Sequence, residues 1–279
     1  MDSRAFLGLQ RSHNPYRWHL EVTPGLATGG NFLFGGCGLG AAISAMEGTT
    51  DRPCVWATAQ YLSYAAVGSI LDLDVTVAAS GRHLSQARCV GRVGDTEIFT
   101  VNAALGSRPF ELNGLWEHRP DVPPPEDCPV RLLPRTQDNS VLTRVEVRVA
   151  AGRQFEDLDG TPSTGRSALW ARMPEVLDVS AAALAVLGDF VPASIGQALG
   201  RGAGGNSLDN TLRIAHRVPT EWVLADVRVH AVGDGFGHGL VHLWSQDGVL
   251  LGTASQSTIV RAWREDQQQP LTELEGDVR

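Results

Sequence analysis

A few side chains in this sequence could hold a water or meet a carbonyl group. Asp209 lies on the opposite strand face from Leu208, Leu212 and Ile214, so a strand there aims its carboxylate away from the apolar side. His230 shares a face with Asp226 and Arg228, away from Val223, Ala225, Val227 and Val229; a neutral imidazole there can accept a hydrogen bond or serve as a base near pH 7. Gln256 offers an amide that can fix a water. Gly35-Gly36 opens a helical pattern whose first backbone N–H groups have no intrahelical partner and so can face a developing oxyanion. Each also has a plainer reading: a turn cap for Asp209, a solvated strand histidine for His230, a strand-paired amide for Gln256, and close helix-to-sheet packing for the two glycines.

Other chemistry is excluded or disfavoured. All 23 basic residues are Arg, so a lysine Schiff base and the lysine of a phosphate-binding P-loop are both ruled out. His238 and His242 share a strand face but stand four residues apart, too far along an extended chain to chelate one ion, so no metal is expected. Cys37, Cys54, Cys89 and Cys128 form no C-x-x-C pair and read as buried, idle thiols. A net charge of −8 disfavours nucleic acid and anionic membrane as partners. With no signal-peptide core and no apolar run approaching a membrane span, the chain reads as cytoplasmic.

The elements that must position these groups recur twice. Phe34–Glu47 carries Leu39, Ala42, Ile43 and Met46 at helical spacing, and Ser180–Phe190 repeats the pattern with Ser180 as N-cap and Pro192 limiting its extent. Alternating stretches read as four strands after each helix: Cys54–Tyr64, Ile70–Ala78, His83–Val93 and Glu97–Leu105, then Ser207–His216, Trp222–His230, His238–Ser245 and Val249–Val260. Val93-Gly94-Asp95 and Gln246-Asp247-Gly248 mark matching turns, and further strands are expected at His19–Val22 and Thr143–Val149. The repeat gives an α+β fold with residues 1–118 and 141–264 as its two halves, a Pro-rich linker at 119–140 and a mobile tail at 265–279. Matching Thr211 to Gln60 sets Asp209 on Thr58 and Gln256 near Ala103, so only the second half carries the polar pair. Trp56, Tyr61, Tyr64 and Trp170 are expected to pack the sheets.

Leu33-Phe34-Gly35-Gly36-Cys37-Gly38-Leu39, Asn206-Ser207-Leu208-Asp209-Asn210, and Gln246-Asp247-Gly248 through Ala254-Ser255-Gln256 resemble segments of the acyl-CoA thioesterase II family, in that order and at that spacing. The resemblance implies a tandem (double) hotdog, each half an antiparallel sheet wrapped around a central helix. It implies hydrolysis of an acyl-CoA or acyl-carrier thioester by a water held by Asp, Gln and a hydroxyl, with no cofactor and with homo-oligomerisation. Carried onto this chain, the Asp is Asp209, the Gln is Gln256, and His230 stands where the family has Ser or Thr; Gly35 and Gly36 meet the substrate. The departure at His230, with Asn210 in place of His, keeps a non-catalytic acyl-thioester-binding protein as the alternative. A hotdog hydratase is disfavoured because no Gly-Asp-x-Asn-Pro type segment is present.

Overall fold

A computed structural model describes residues 1–133, 140–176 and 179–263. Residues 134–139 of the expected linker and the whole of the expected tail lie outside the described residues. The first half contains α1 (Ser3–Leu7), β1 (Gln10–Arg11), β2 (Arg17–Glu21), α2 (Gly35–Thr50), β3 (Cys54–Tyr61), β4 (Ile70–Ser80), β5 (Leu84–Val93) and β6 (Thr96–Gly106). The second contains β7 (Glu146–Ala151), β8 (Arg166–Arg172), α3 (Ala181–Leu187), α4 (Val191–Leu199), β9 (Ala203–Ser207), β10 (Asp209–Ile214), β11 (Val223–Gly233), β12 (Phe236–Ser245) and β13 (Leu250–Ala262).

The strands form one antiparallel sheet in the order β1-β2-β4-β5-β6-β3-β10-β13-β12-β11-β8-β7, with β9 paired to β13. The halves join where β3 pairs with β10, and there the Thr58 and Thr211 hydroxyls share a 2.6 Å hydrogen bond. The inner face wraps α2 in one half and α3 and α4 in the other, which is the tandem hotdog. A single offset of 153 residues, that between Thr58 and Thr211, carries β4 onto β11 end for end. The repeat is therefore real, but its register differs by two residues from the match of Thr211 to Gln60. A two-residue slip leaves every side chain on its original face, so alternation alone does not detect it.

The central helices touch backbone to backbone. A Cβ on Gly36 would lie 2.7 Å from Ala185 O, and one on Gly40 2.9 Å from Ala182 O. Each glycine costs a helix interior roughly 1 kcal/mol relative to alanine, yet alanine at either place would drive α2 away from α3. Ser180 caps α3 as expected, its Oγ accepting from Ala183 N–H at 3.2 Å.

Pro192 does not end the helical region. The chain breaks at Gly188-Asp189-Phe190 and restarts as α4 with Pro192 in its first turn, where a missing N–H removes no helical bond. The stretch Ala181–Leu199 is in fact long and apolar enough to cross a bilayer by length and composition, contrary to the sequence reading, and most of it is buried inside the protein.

Strand β8 escapes the sequence reading because it is buried on both faces and does not alternate. Leu169 and Ala171 enter the main core, while Ala168 and Trp170 join a second cluster with Cys128, Trp222, Leu224 and Trp244 on the outer face. The Pro-rich segment lies over that cluster. Trp170 Nε1–H donates to Pro123 O at 2.9 Å, and Arg131 N–H to Val147 O at 2.8 Å. All four cysteines are free and buried.

Candidate functional site

The break between α3 and α4 sets Asp189 on the inner side of the sheet, 5% exposed. Both carboxylate oxygens are held. Oδ2 accepts from Gly36 N–H at 2.6 Å, in the first turn of α2, and Oδ1 accepts from Gln256 Nε2 on β13. The same Nε2 donates to Ser207 Oγ, at the end of β9, at 3.0 Å. Gln256 is buried behind the cavity wall, and its Oε1 has no hydrogen-bond partner among the described residues. Tyr61 O–H donates to Gly35 O at 2.8 Å and closes the first turn of α2 over the group.

Burial pushes the Asp189 carboxyl up to about 6, against the pull of the hydrogen bonds from Gln256 and from Gly36. A carboxylate tuned to that range is mostly ionised at neutral pH and basic enough to take a proton from water. Burial and the nearby Asp189 also hold the Tyr61 hydroxyl and the Cys37 thiol protonated, so neither competes as a nucleophile. Asp189 and Ser207 form part of the wall of a cavity of about 430 Å³ between the two halves, with Phe34, Tyr64, Leu142 and Phe190 among its apolar lining. Tyr61 and Tyr64 belong to this wall and do not serve only to pack the sheets.

Of the groups singled out in the sequence, Gln256, Gly35 and Gly36 meet here. Gly36 acts differently from the expectation: its N–H is bound to Asp189 and its missing Cβ makes room for α3, so its backbone holds the carboxylate in place. Gly35 lines the cavity. Asp209 makes no hydrogen bond to this group among the described residues, although its charge reaches Tyr61. Its Oδ1 accepts from Ser257 N–H at 2.8 Å, a bond across strands that braces the start of β10 against β13. His230 is also separate: it is the extra residue of a β-bulge between Val229 and Ala231, exposed and absent from the cavity wall.

The sequence reading did not single out Asp189 or Ser207, which the structure gathers with Gln256. A signal for Asp189 was present, since it is the only charged residue in the apolar run from Ser180 to Leu199. An acid in such a run must be paired or neutralised, which marks it for attention. Ser207 lay inside the quoted Asn206–Asn210 segment, two residues before the aspartate chosen from it.

A family model for the acyl-CoA thioesterase C-terminal domain matches residues 125–260. The chain is 37% identical to a provisionally assigned thioesterase from Novosphingobium aromaticivorans, with a TM-score of 0.82 over 91% of this chain and 99% of that one. A hot dog protein of unknown function from Alicyclobacillus acidocaldarius is 20% identical with a TM-score of 0.82, covering 94% and 98% of the two chains. A provisionally assigned thioesterase II from Thermobifida fusca is 17% identical with a TM-score of 0.79, covering 93% and 99%. These last two speak to the fold alone. No curated protein matches the sequence.

Proposed function

Because the chain belongs to the double-hotdog thioesterase-like superfamily, we propose that it hydrolyses acyl thioesters of coenzyme A or of an acyl carrier, with Asp189, Gln256 and Ser207 as the groups that gather the attacking water. The observation that carries this reading is the buried Asp189 carboxylate, held by Gly36 N–H and by the Gln256 amide that also binds Ser207, at the wall of the inter-half cavity.

Asp189 takes a proton from the water as its oxygen bonds to the thioester carbonyl carbon. The Gln256 amide fixes the carboxylate through Nε2 and orients the Ser207 hydroxyl with the same group. Ser207 Oγ accepts from the amide, which leaves its own O–H to donate to the water. The carbonyl oxygen gains charge as the tetrahedral intermediate forms, and the first turn of α2 at Gly35 supplies backbone dipole for it. When the C–S bond breaks, the leaving sulfur takes the proton from Asp189, and a carboxylic acid and a thiol depart. No metal, redox group or amine nucleophile enters these steps.

The non-catalytic alternative rested on the apparent replacement of the hydroxyl by His230. Ser207 provides a hydroxyl on Gln256, and the alternative loses that support. The test is release of free thiol from short, medium and aromatic acyl-CoA substrates. Turnover of at least one is expected, and none across the panel with folded wild-type protein would overturn the reading.

A further inference from the structure

The wall of the cavity that holds Asp189 and Ser207 contains two arginines, Arg131 and Arg261, and their surroundings differ. Arg261 is exposed near the end of β13. Arg131 is turned inward. Its guanidinium lies 5.7 Å from the centroid of the Phe190 ring, and its Nη1 is buried with no hydrogen-bond partner among the described residues.

Arg144, Arg148, Arg153, Arg172 and Arg228 are also partly buried, and each is paired with a Glu or Asp at 3.0 Å or less. No such ion pair is found for Arg131 among the described residues. Burial holds its pKa down at about 10, as expected of a cation taken out of water without a counter-charge. An unpaired buried cation disfavours the folded state and gains its compensation when an anion arrives with geometry for the planar fork.

Resting on the thioester-hydrolase reading, we propose that Arg131 receives a carboxylate at the far end of the acyl group, so that the preferred substrates are thioesters of dicarboxylic acids. Phe190, against which the guanidinium lies, directly follows Asp189 in the chain. The anion site and the proposed base are therefore set by consecutive residues in the wall of one cavity. The phosphates of a coenzyme A carry several charges and stay hydrated, a poor match for a single, partly buried guanidinium. The exposed Arg261 suits them better.

The test compares hexanoyl-CoA with adipoyl-CoA, which have the same chain length and differ in the terminal group, and repeats the pair as pantetheine thioesters without nucleotide phosphates. The wild type is expected to favour adipoyl in kcat/KM by about tenfold or more with both carriers, the size of one charge-assisted contact. Arg131→Leu is expected to bring the ratio towards one, and Arg131→Lys to retain part of it. Equal values for the two substrates in the wild type would overturn the proposal, as would an Arg131→Leu loss of equal size on both. A loss seen only with coenzyme A thioesters would assign Arg131 to the phosphates and overturn it as well. The wild-type ratio does not depend on how either variant folds. If no thioester turns over, calorimetric binding of the same two coenzyme A thioesters still reads the Arg131 preference, so the two readings fail separately.

Discussion

The same offset that superimposes the strands compares the two halves residue by residue. Gly36 corresponds to Asp189, Cys54 to Ser207 and Ala103 to Gln256. Every polar member of the cluster thus has a small or apolar counterpart in the first half, where Cys54 and Ala103 are fully or almost fully buried. Burial pushes the Cys54 thiol up to about 12, so that counterpart offers no nucleophile at neutral pH. Gly36 and Asp189 occupy equivalent places and are hydrogen-bonded to each other, one half giving an N–H and the other the carboxylate. On the proposed mechanism the first half supports and the second reacts, and the described residues hold one such polar cluster.

The largest effect that can break this comparison is at Asp189. Asp189→Asn is expected to lower kcat by at least about two orders of magnitude, while Asp209→Asn and His230→Ala each change it by less than about threefold. A reversed ranking, measured by thiol release, would return the base to β10 or β11. Next in size, Gln256→Ala copies the first half's Ala103 and is expected to cost about ten- to a hundredfold in kcat. A cost below about twofold would mean that the amide only packs.

The smallest effects are on pH dependence. For the wild type, kcat/KM should rise as pH passes about 6 and level off above it, because the base acts when ionised. In Gln256→Ala, loss of a hydrogen bond that favours the carboxylate should move this limb to higher pH. Stability runs the other way. The folded carboxyl titrates near 6 and the unfolded one near 3.8, so below about 4 the group costs nothing and by about pH 7 its ionisation destabilises the fold by about 3 kcal/mol. Asp189→Asn should therefore melt several degrees higher than wild type at pH 8, with the gain vanishing near pH 4. An equal gain at both pH values would show that burial does not tune this carboxyl.

The fold was legible where one face of an element meets water. Strands β4 and β5 and the start of β12 alternate, and Gly94 and Gly248 take the positive φ their turns require. It was illegible where packing covers both faces, as at β8. The site followed the same division. Gln256 sits at a recognisable position on an alternating strand, whereas Asp189 lies in a helical break that neither periodicity nor capping rules locate. Asp209, the more conspicuous acid, satisfies a backbone N–H on β13, a contact that strand alternation does not reveal.

The pairing of β3 with β10 has a mechanical consequence. The two halves share one continuous backbone ladder, and α2 and α3 interlock across the junction at Gly36 and Gly40. The covalent connection between them is therefore not what holds them in register. A chain nicked by a protease between Ser107 and Glu117, an exposed stretch without regular structure, should migrate as two fragments in denaturant and as one particle in native buffer, with its cavity intact.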